Sequence, residues 1–285
     1  MLKTCASIQS FCCYTKVGLA LAFPTLEAMG VECAPVPSCL LSTEVHGYGE
    51  FYIRSCIDDM KATFAHWNRE NLKWDSIYTG FLSDPNQVDV IIDFVKSHKE
   101  SLVMIDPAFG DDGKIYPGLS EALVEKMRKL VSVADITVPN PTEACFLLGK
   151  PQKDSMTTDE ATSVAKELLT LGPKMAIMTS VTLNDKDKDM CYIISADKNG
   201  TNIVSHKKYH KMQHGTGDLF ASIVLASLLH GKSVEEATQF AGDMVYLALK
   251  RTDEQGYTND GHGVQSITVF PELLDANRKF FTEKQ

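Results

Sequence analysis

Apolar positions along the chain follow two periods. Runs of five or six residues rich in Val, Ile and Met read as buried strands: TCASI (4–8), VECAPV (31–36), SIYTG (76–80), LVMID (102–106), DITVP (135–139) and MAIMT (175–179). Two further runs, MCYII (190–194) and NIVSHKKY (202–209), flank a polar turn containing Asn199 and Gly200, which predicts a β-hairpin. Between the runs the period becomes helical. Residues 85–99 place Val88, Ile91, Ile92 and Val95 on one face, and residues 119–131 do the same with Leu119, Leu123, Met127 and Leu130. A third helix, 158–171, ends at Gly172-Pro173, and a fourth, 219–230, ends at Gly231. Ser233 with Glu236 three residues later forms a capping box at the start of a long apolar helix. After Pro139 and Pro141 around Asn140 the chain reads as a short helix closed by Gly149, with Thr142 as candidate cap.

Strand alternating with helix predicts an α/β fold of three layers: a mostly parallel central sheet covered by helices on both faces, with the hairpin added. No Pro/Gly/Ser-rich linker and no repeat divides the chain, so residues 1–285 are expected to form one domain. In such sheets ligands bind beyond the carboxyl ends of the strands. Those ends carry Gln9 and Ser10, Gly80, Asp106 with GDDGK (110–114), Asn140 with Glu143, and Thr179 with Ser180. Polar groups at five strand ends converge on one rim, which makes a candidate site.

Composition narrows the function. The 285 residues are 44% hydrophobic and 23% charged, an ordinary globular balance. The net charge of −9 and pI near 5.4, without a basic stripe, argue against a nucleic-acid partner. The 8 cysteines form no C-x-x-C pair and are expected as buried free thiols. No apolar run approaches the roughly 18 residues of a membrane span, and the N-terminal residues read as a strand rather than a signal peptide. The expected location is the cytoplasm, with no membrane association.

HGTGDLF (214–220) carries the sharpest chemistry. Gly215 and Gly217 permit positive φ and close approach of a ligand. The amides of Thr216, Gly217 and Asp218 stand where a helix begins, and unpaired amides with the helix dipole favour an anion there. Asp218 adds nothing to anion binding by charge; beside a phosphate it makes sense as the acceptor of a hydroxyl proton. The plainer reading makes Asp218 the helix cap. The stretch is not a Walker A loop, and GKS (231–233) follows a helix with Ala226 in place of the first required glycine. In DPAFGDDGKIY (106–116) the carboxylates of Asp106, Asp111 and Asp112 suit Mg²⁺, or else make a solvated turn. Glu143 suits the helix dipole or a magnesium and its waters. Lys16, Lys207, Lys208 and Lys211 are candidates to meet phosphate.

Taken together, SIQS (7–10), HGYG (46–49), YTGF (78–81), DPAFGDDGKIY, VPNPTEACFLLG (138–149), MTS (178–180) and HGTGDLFAS (214–222) resemble, in order, the pyridoxal kinase family of the ribokinase-like superfamily. The resemblance implies ATP-dependent phosphorylation of the 5′-hydroxymethyl group of a B6 vitamer. It implies Asp218 as base and the amides of Gly215, Thr216 and Gly217 as the anion hole. Asn140, Glu143, Thr179, Ser180 and Asp111 would bind ATP. Asp106, Asp111 and Glu143 would organise Mg²⁺. Ser10, His46, Phe81 and Asp218 would meet the vitamer. The resemblance also implies a homodimer and admits a monovalent cation. Residues 205–213 are a candidate loop over the nucleotide. The departures from the family pattern gather on the substrate side: Lys16, Leu19 and Ala20 after SIQS, Val45 and His46, and Phe81. A hydroxymethylpyrimidine kinase, or a non-catalytic sensor derived from a kinase, is the alternative.

Overall fold

The computed structural model describes residues 2–45, 47–211, 213–257 and 262–282, without the side chains of residues 281 and 282. In chain order the elements are β1 (Lys3–Cys12), α1 (Leu19–Ala28), β2 (Val31–Leu41), β3 (Ile53–Ser55), α2 (Ile57–Arg69), β4 (Ser76–Thr79), α3 (Asn86–Ser97) and β5 (Leu102–Ile105). There follow the two-residue strands β6 (Gly110–Asp111) and β7 (Lys114–Ile115), then α4 (Glu121–Val131), β8 (Ile136–Thr137), α5 (Pro141–Leu148), α6 (Thr158–Leu168) and β9 (Met175–Val181). The hairpin β10 (Met190–Asp197) and β11 (Gly200–Lys207) precedes α7 (Thr216–Leu229), α8 (Val234–Glu254) and α9 (Phe270–Thr282).

Nine strands form one sheet in the order β11-β10-β9-β8-β5-β4-β1-β2-β3. The six central strands, β9 through β2, run parallel. Antiparallel pairs close both edges, β9–β10–β11 on one side and β2–β3 on the other. Side chains alternate across the sheet, as the strand period requires. Ile77, Val103 and Ile105 pack beneath α2 to α6, whereas Tyr78 and Met104 pack beneath α1, α7, α8 and α9. The three-layer α/β expectation holds, and all eight cysteines are free thiols.

The sheet has a switch point. From β1 the chain moves outward through α1 to β2; from β4 it moves the other way through α3 to β5. The two helices cover opposite faces, so the carboxyl ends of β1 and β4 open into a crevice.

Several elements escaped the sequence reading. Helix α1 buries Leu19, Leu21, Ala22, Thr25, Leu26 and Ala28, and contains Pro24, so it shows no polar face and carries a breaker. Helices α2 and α9 and strands β3, β6 and β7 were also not anticipated. Strand β8 is shorter than 135–139 because Pro139 has no N–H for the ladder. The cap of α5 is Asn140, not Thr142: Pro141 takes the first helical position, and Asn140 Oδ1 accepts from Glu143 N at 2.9 Å. The capping box of Ser233 and Glu236 is present.

Candidate active site

A cleft of about 330 Å³ lies over the carboxyl ends of the parallel strands. Among the sequence-nominated residues, Ser10, Phe81, Asp106, Asp111, Asn140, Glu143, Thr179, Ser180, Gly215, Thr216, Gly217 and Asp218 all line it. His46 lies outside the described residues.

The start of α7 forms the floor. Gly215 is its N-cap at φ 85°, and a Cβ there would stand 2.5 Å from Lys16 O, so only glycine fits. Leu219 N donates to Gly215 O at 3.0 Å, which leaves the amides of Thr216, Gly217 and Asp218 ahead of the helical ladder. Both glycines permit a positive φ, but only Gly215 uses it: Gly217 is helical, and a Cβ there would meet open space. Its contribution is room rather than conformation.

Asp218 is not the helix cap. It sits in the first turn, and its Oδ2 accepts from Gly18 N at 2.8 Å. Gly18 holds φ 56° and ψ −135°, and a Cβ on it would press 2.4 Å from Ser10 O. The loop after β1 thus folds back against its own strand and presents one amide to the carboxylate. Burial pushes the Asp218 carboxyl up to about 6, against the lowering effect of that amide.

Asp106 follows β5 and is 7% exposed. Burial raises its carboxyl well above the ordinary range; Glu143 and then Asp218 add to the rise, and the Ala108 amide opposes it. Glu143 is also raised, by burial first, although it accepts from Asn140 N at 2.9 Å, Phe109 N at 3.0 Å and Gly110 N at 3.5 Å. Asn140 adds a bond from Nδ2 to Gly110 O at 2.7 Å. The capping box of α5 therefore ties the 106–111 loop to the helix, and the polar groups of Asn140 and Glu143 are largely engaged there. Thr179 and Ser180 lie near the end of β9, and Ser180 holds φ 55°. Four described non-glycine residues have positive φ, and three of them, Ala108, Asp112 and Ser180, line this cleft. Backbone strain concentrated at one site is a mark of function.

The opposite end is walled by Val17, Leu41, Val45 and Phe81, with Ser10 and Glu44 among them. Glu44 carries no signal in the sequence, because a lone loop residue has no period to find it by; Tyr116 and Gln213 enter only as members of the segments 106–116 and 205–213. Of the candidate loop 205–213, Gln213 lines the cleft, while Tyr209, His210 and Lys211 gather on Asp253 of α8. Residue 212 lies outside the described residues.

Electrostatically the cleft is one-sided. Its described lining includes Glu44, Asp106, Asp111, Asp112, Glu143 and Asp218, and no Lys or Arg. Among the described residues no three His, Cys, Asp or Glu side chains converge closely enough to hold a metal by themselves. The acidic oxygens fit Mg²⁺ in its usual manner, with one or two carboxylates, water and phosphate oxygens. Burial first, and then neighbouring carboxylates, raise the carboxyls of Asp106 and Glu143 above their ordinary range. Among the described residues no helix is long and apolar enough to cross a membrane.

Comparison with known proteins agrees with this geometry. The chain is 29% identical over 259 residues to pyridoxal kinase PdxY of Corynebacterium diphtheriae, covering 86% of this chain and 88% of that one. A crystal structure from Bacteroides thetaiotaomicron, described as a phosphomethylpyrimidine kinase in a form with pyridoxal, superimposes with a TM-score of 0.90 at 29% identity and 96% coverage of each chain. Pyridoxal kinase from Lactobacillus plantarum superimposes with a TM-score of 0.89 at 26% identity, covering 98% of this chain and 99% of that one. The model of the phosphomethylpyrimidine kinase family matches residues 23–265, so this chain belongs to that kinase family.

Proposed function

We propose that this protein transfers the γ-phosphoryl group of ATP to the 5′-hydroxymethyl group of a B6 vitamer: pyridoxal, pyridoxine or pyridoxamine. The observation that carries the reading is Asp218, fixed by the Gly18 amide at the start of a helix whose first amides are open, with its carboxyl raised to about 6. A base that titrates near working pH is suited to proton transfer. The vitamer reading is supported by relatives that carry the pyridoxal kinase name and by the pyridoxal-containing structure.

In the reaction the alcohol oxygen bonds to the γ-phosphorus. The bond from that phosphorus to the β–γ bridging oxygen breaks, and its electron pair leaves on ADP. The hydroxyl proton passes to the Asp218 carboxylate. The amides of Gly215, Thr216 and Gly217 stabilise charge on the transferring group, a contribution that positioned donors supply without reorganisation. Thr179 and Ser180 hold nucleotide phosphates from the end of β9, and Asn140 holds the loop beneath them. Asp106 and Asp111 would hold Mg²⁺, with Glu143 acting through water, and the ion would neutralise phosphate charge. A monovalent cation fits the same acidic end. Ser10 and Phe81 bound the vitamer ring, and His46, outside the described residues, is assigned to the vitamer by resemblance alone.

The chain is read as one domain acting as a cytoplasmic homodimer; a monomer mass by light scattering at micromolar concentration would remove the dimer. The decisive assay is ATP consumption with each of the three vitamers and with hydroxymethylpyrimidine. Turnover of the pyrimidine alcohol alone would replace the vitamer reading with its closest rival.

A further inference from the structure

Beneath the cleft lies a hydroxyl that neither the packing nor the reaction as described so far uses. Tyr78 stands in β4 and is fully buried, on the face covered by α1 and α7. Its Oη makes no hydrogen bond among the described residues. A buried hydroxyl left unbonded costs free energy. Phenylalanine would fill the same space without that cost, so packing alone does not explain the hydroxyl.

The surroundings of Tyr78 Oη belong to the active site above it. Its charged neighbours are the carboxyls of Asp106 and Asp218, and the Ser222 hydroxyl lies beside it. Ser222 follows Asp218 by one turn of α7, and its Oγ donates to Asp218 O at 2.7 Å, so that proton is already committed. Across the sheet Tyr78 is in register with Met104 of β5, two residues before Asp106 and therefore on the same face. The phenol is thus set between the strand that ends in one carboxyl and the helix that carries the other. Each carboxyl already meets one amide, Gly18 N at Asp218 and Ala108 N at Asp106. A carboxylate has about four acceptor positions, so each can take a further donor. Burial first, and then the two carboxyls, hold the phenol well above its ordinary value, so Tyr78 can donate a hydrogen bond without losing its proton. Hydrogen bonds that serve catalysis are often unmade in the ligand-free protein and tighten in the loaded complex.

Resting on the proposed kinase reading, we infer that Tyr78 is a positioning residue for the base: its hydroxyl donates to the Asp106–Asp218 carboxyl pair from below and keeps Asp218 aimed at the acceptor alcohol. A donor shared by two carboxyls also offsets the repulsion between them. Tyr78 is outside the cleft lining and touches neither ATP nor the acceptor. Its effect therefore falls on the chemical step and not on binding.

The test compares kcat, KM and Tm of the wild type, Tyr78→Phe and Thr79→Val, with ATP and whichever vitamer turns over fastest. Thr79 is the control: its Oγ1 is equally buried and unbonded, but strand alternation puts it on the opposite face, with Ile77. Tyr78→Phe should lower kcat about tenfold, the scale of one lost hydrogen bond to a charged group. KM for ATP and for the vitamer should stay unchanged, and Tm of the ligand-free protein should not fall. Thr79→Val should leave kcat and both KM values as they are. An unchanged kcat in Tyr78→Phe, or a change confined to KM, would overturn the inference and leave the kinase reading standing. So would a fall in kcat that comes with a lower Tm, or an equal fall in Thr79→Val, because either would make the loss one of packing. A wild type that turns over no vitamer would defeat the kinase reading, and the inference with it.

Discussion

At the β5–β8–β9 end of the cleft, polar side chains are committed to the protein itself; at the β1–β2–β4 end, an apolar wall leaves one carboxylate at the edge of a loop. The first end ties Asn140, Glu143 and the 106–111 loop into one hydrogen-bonded unit and places strained backbone at Ala108, Asp112 and Ser180. The second is shaped by Val17, Leu41, Val45 and Phe81, with Glu44 anchored through its backbone to Thr15 and 3.6 Å from His214. On the proposed assignment, the first end meets phosphates, which look alike in every substrate, and a rigid site built from backbone suits them. The second end would meet the acceptor, which varies, and side chains there could change without disturbing the rest. Asp218 stands between, bonded to the β1 loop yet carried by α7.

Asp218→Asn should break the comparison most severely, because it removes the group both ends share. We expect kcat to fall at least ~100-fold with ATP affinity by calorimetry nearly unchanged, the scale of a lost general base. In the wild type, kcat/KM should fall as pH drops through about 6, because a protonated Asp218 cannot accept the hydroxyl proton.

Gly215→Ala comes next. The substitution forces a side chain at φ 85° into Lys16 O, at a strain cost of about 1–3 kcal/mol. It should cut kcat/KM about tenfold or more for all acceptors alike, since it shifts the amides and not the vitamer wall. Selective loss with one vitamer would show that the two ends are less separate than their construction suggests.

A smaller effect comes from two capping boxes of the same pattern, one capped by an amide and one by a hydroxyl. Asn140→Ala should cost about 1 kcal/mol of stability in urea unfolding and also raise KM for ATP, because Asn140 anchors the loop below the phosphates. Ser233→Ala, at the start of α8, should lower Tm and leave both kinetic constants alone. Equal kinetic effects would mean that the cleft responds to global stability and not to the local tie.

The smallest expected signal is in stability against pH. An unfolded aspartate titrates near ~3.9, below the value of about 6 that burial gives Asp218 in the fold. Between those values the folded state binds more protons, so stability rises as pH falls. The Tm of the ligand-free protein should climb on acidification through that window, and climb less in Asp218→Asn.

Much of the phosphate end was legible in sequence, because glycines, carboxylates and a helix start recur there at short spacing. The strand-end list placed Ser10, Asp106, Asn140, Glu143 and Thr179 on one rim, and the structure gathers them. What stayed hidden depends on contacts remote in sequence. Gly18 stands before an apolar run without period, and its role exists only because Asp218 comes to it. Glu44 is one acid among many until the β2 loop packs against Thr15. Thr142 looked like a cap because Pro141 concealed that the helix begins one residue earlier.

The bond from Gly18 to Asp218 joins residues 200 positions apart. No local segment can orient the base by itself; the loop after the first strand must close upon a helix formed late in the sequence. Contacts of such separation form slowly, because loop-closure entropy is lost before they bring any gain. During refolding, helical circular dichroism should therefore return first. Recovered turnover is a clock for that one closure.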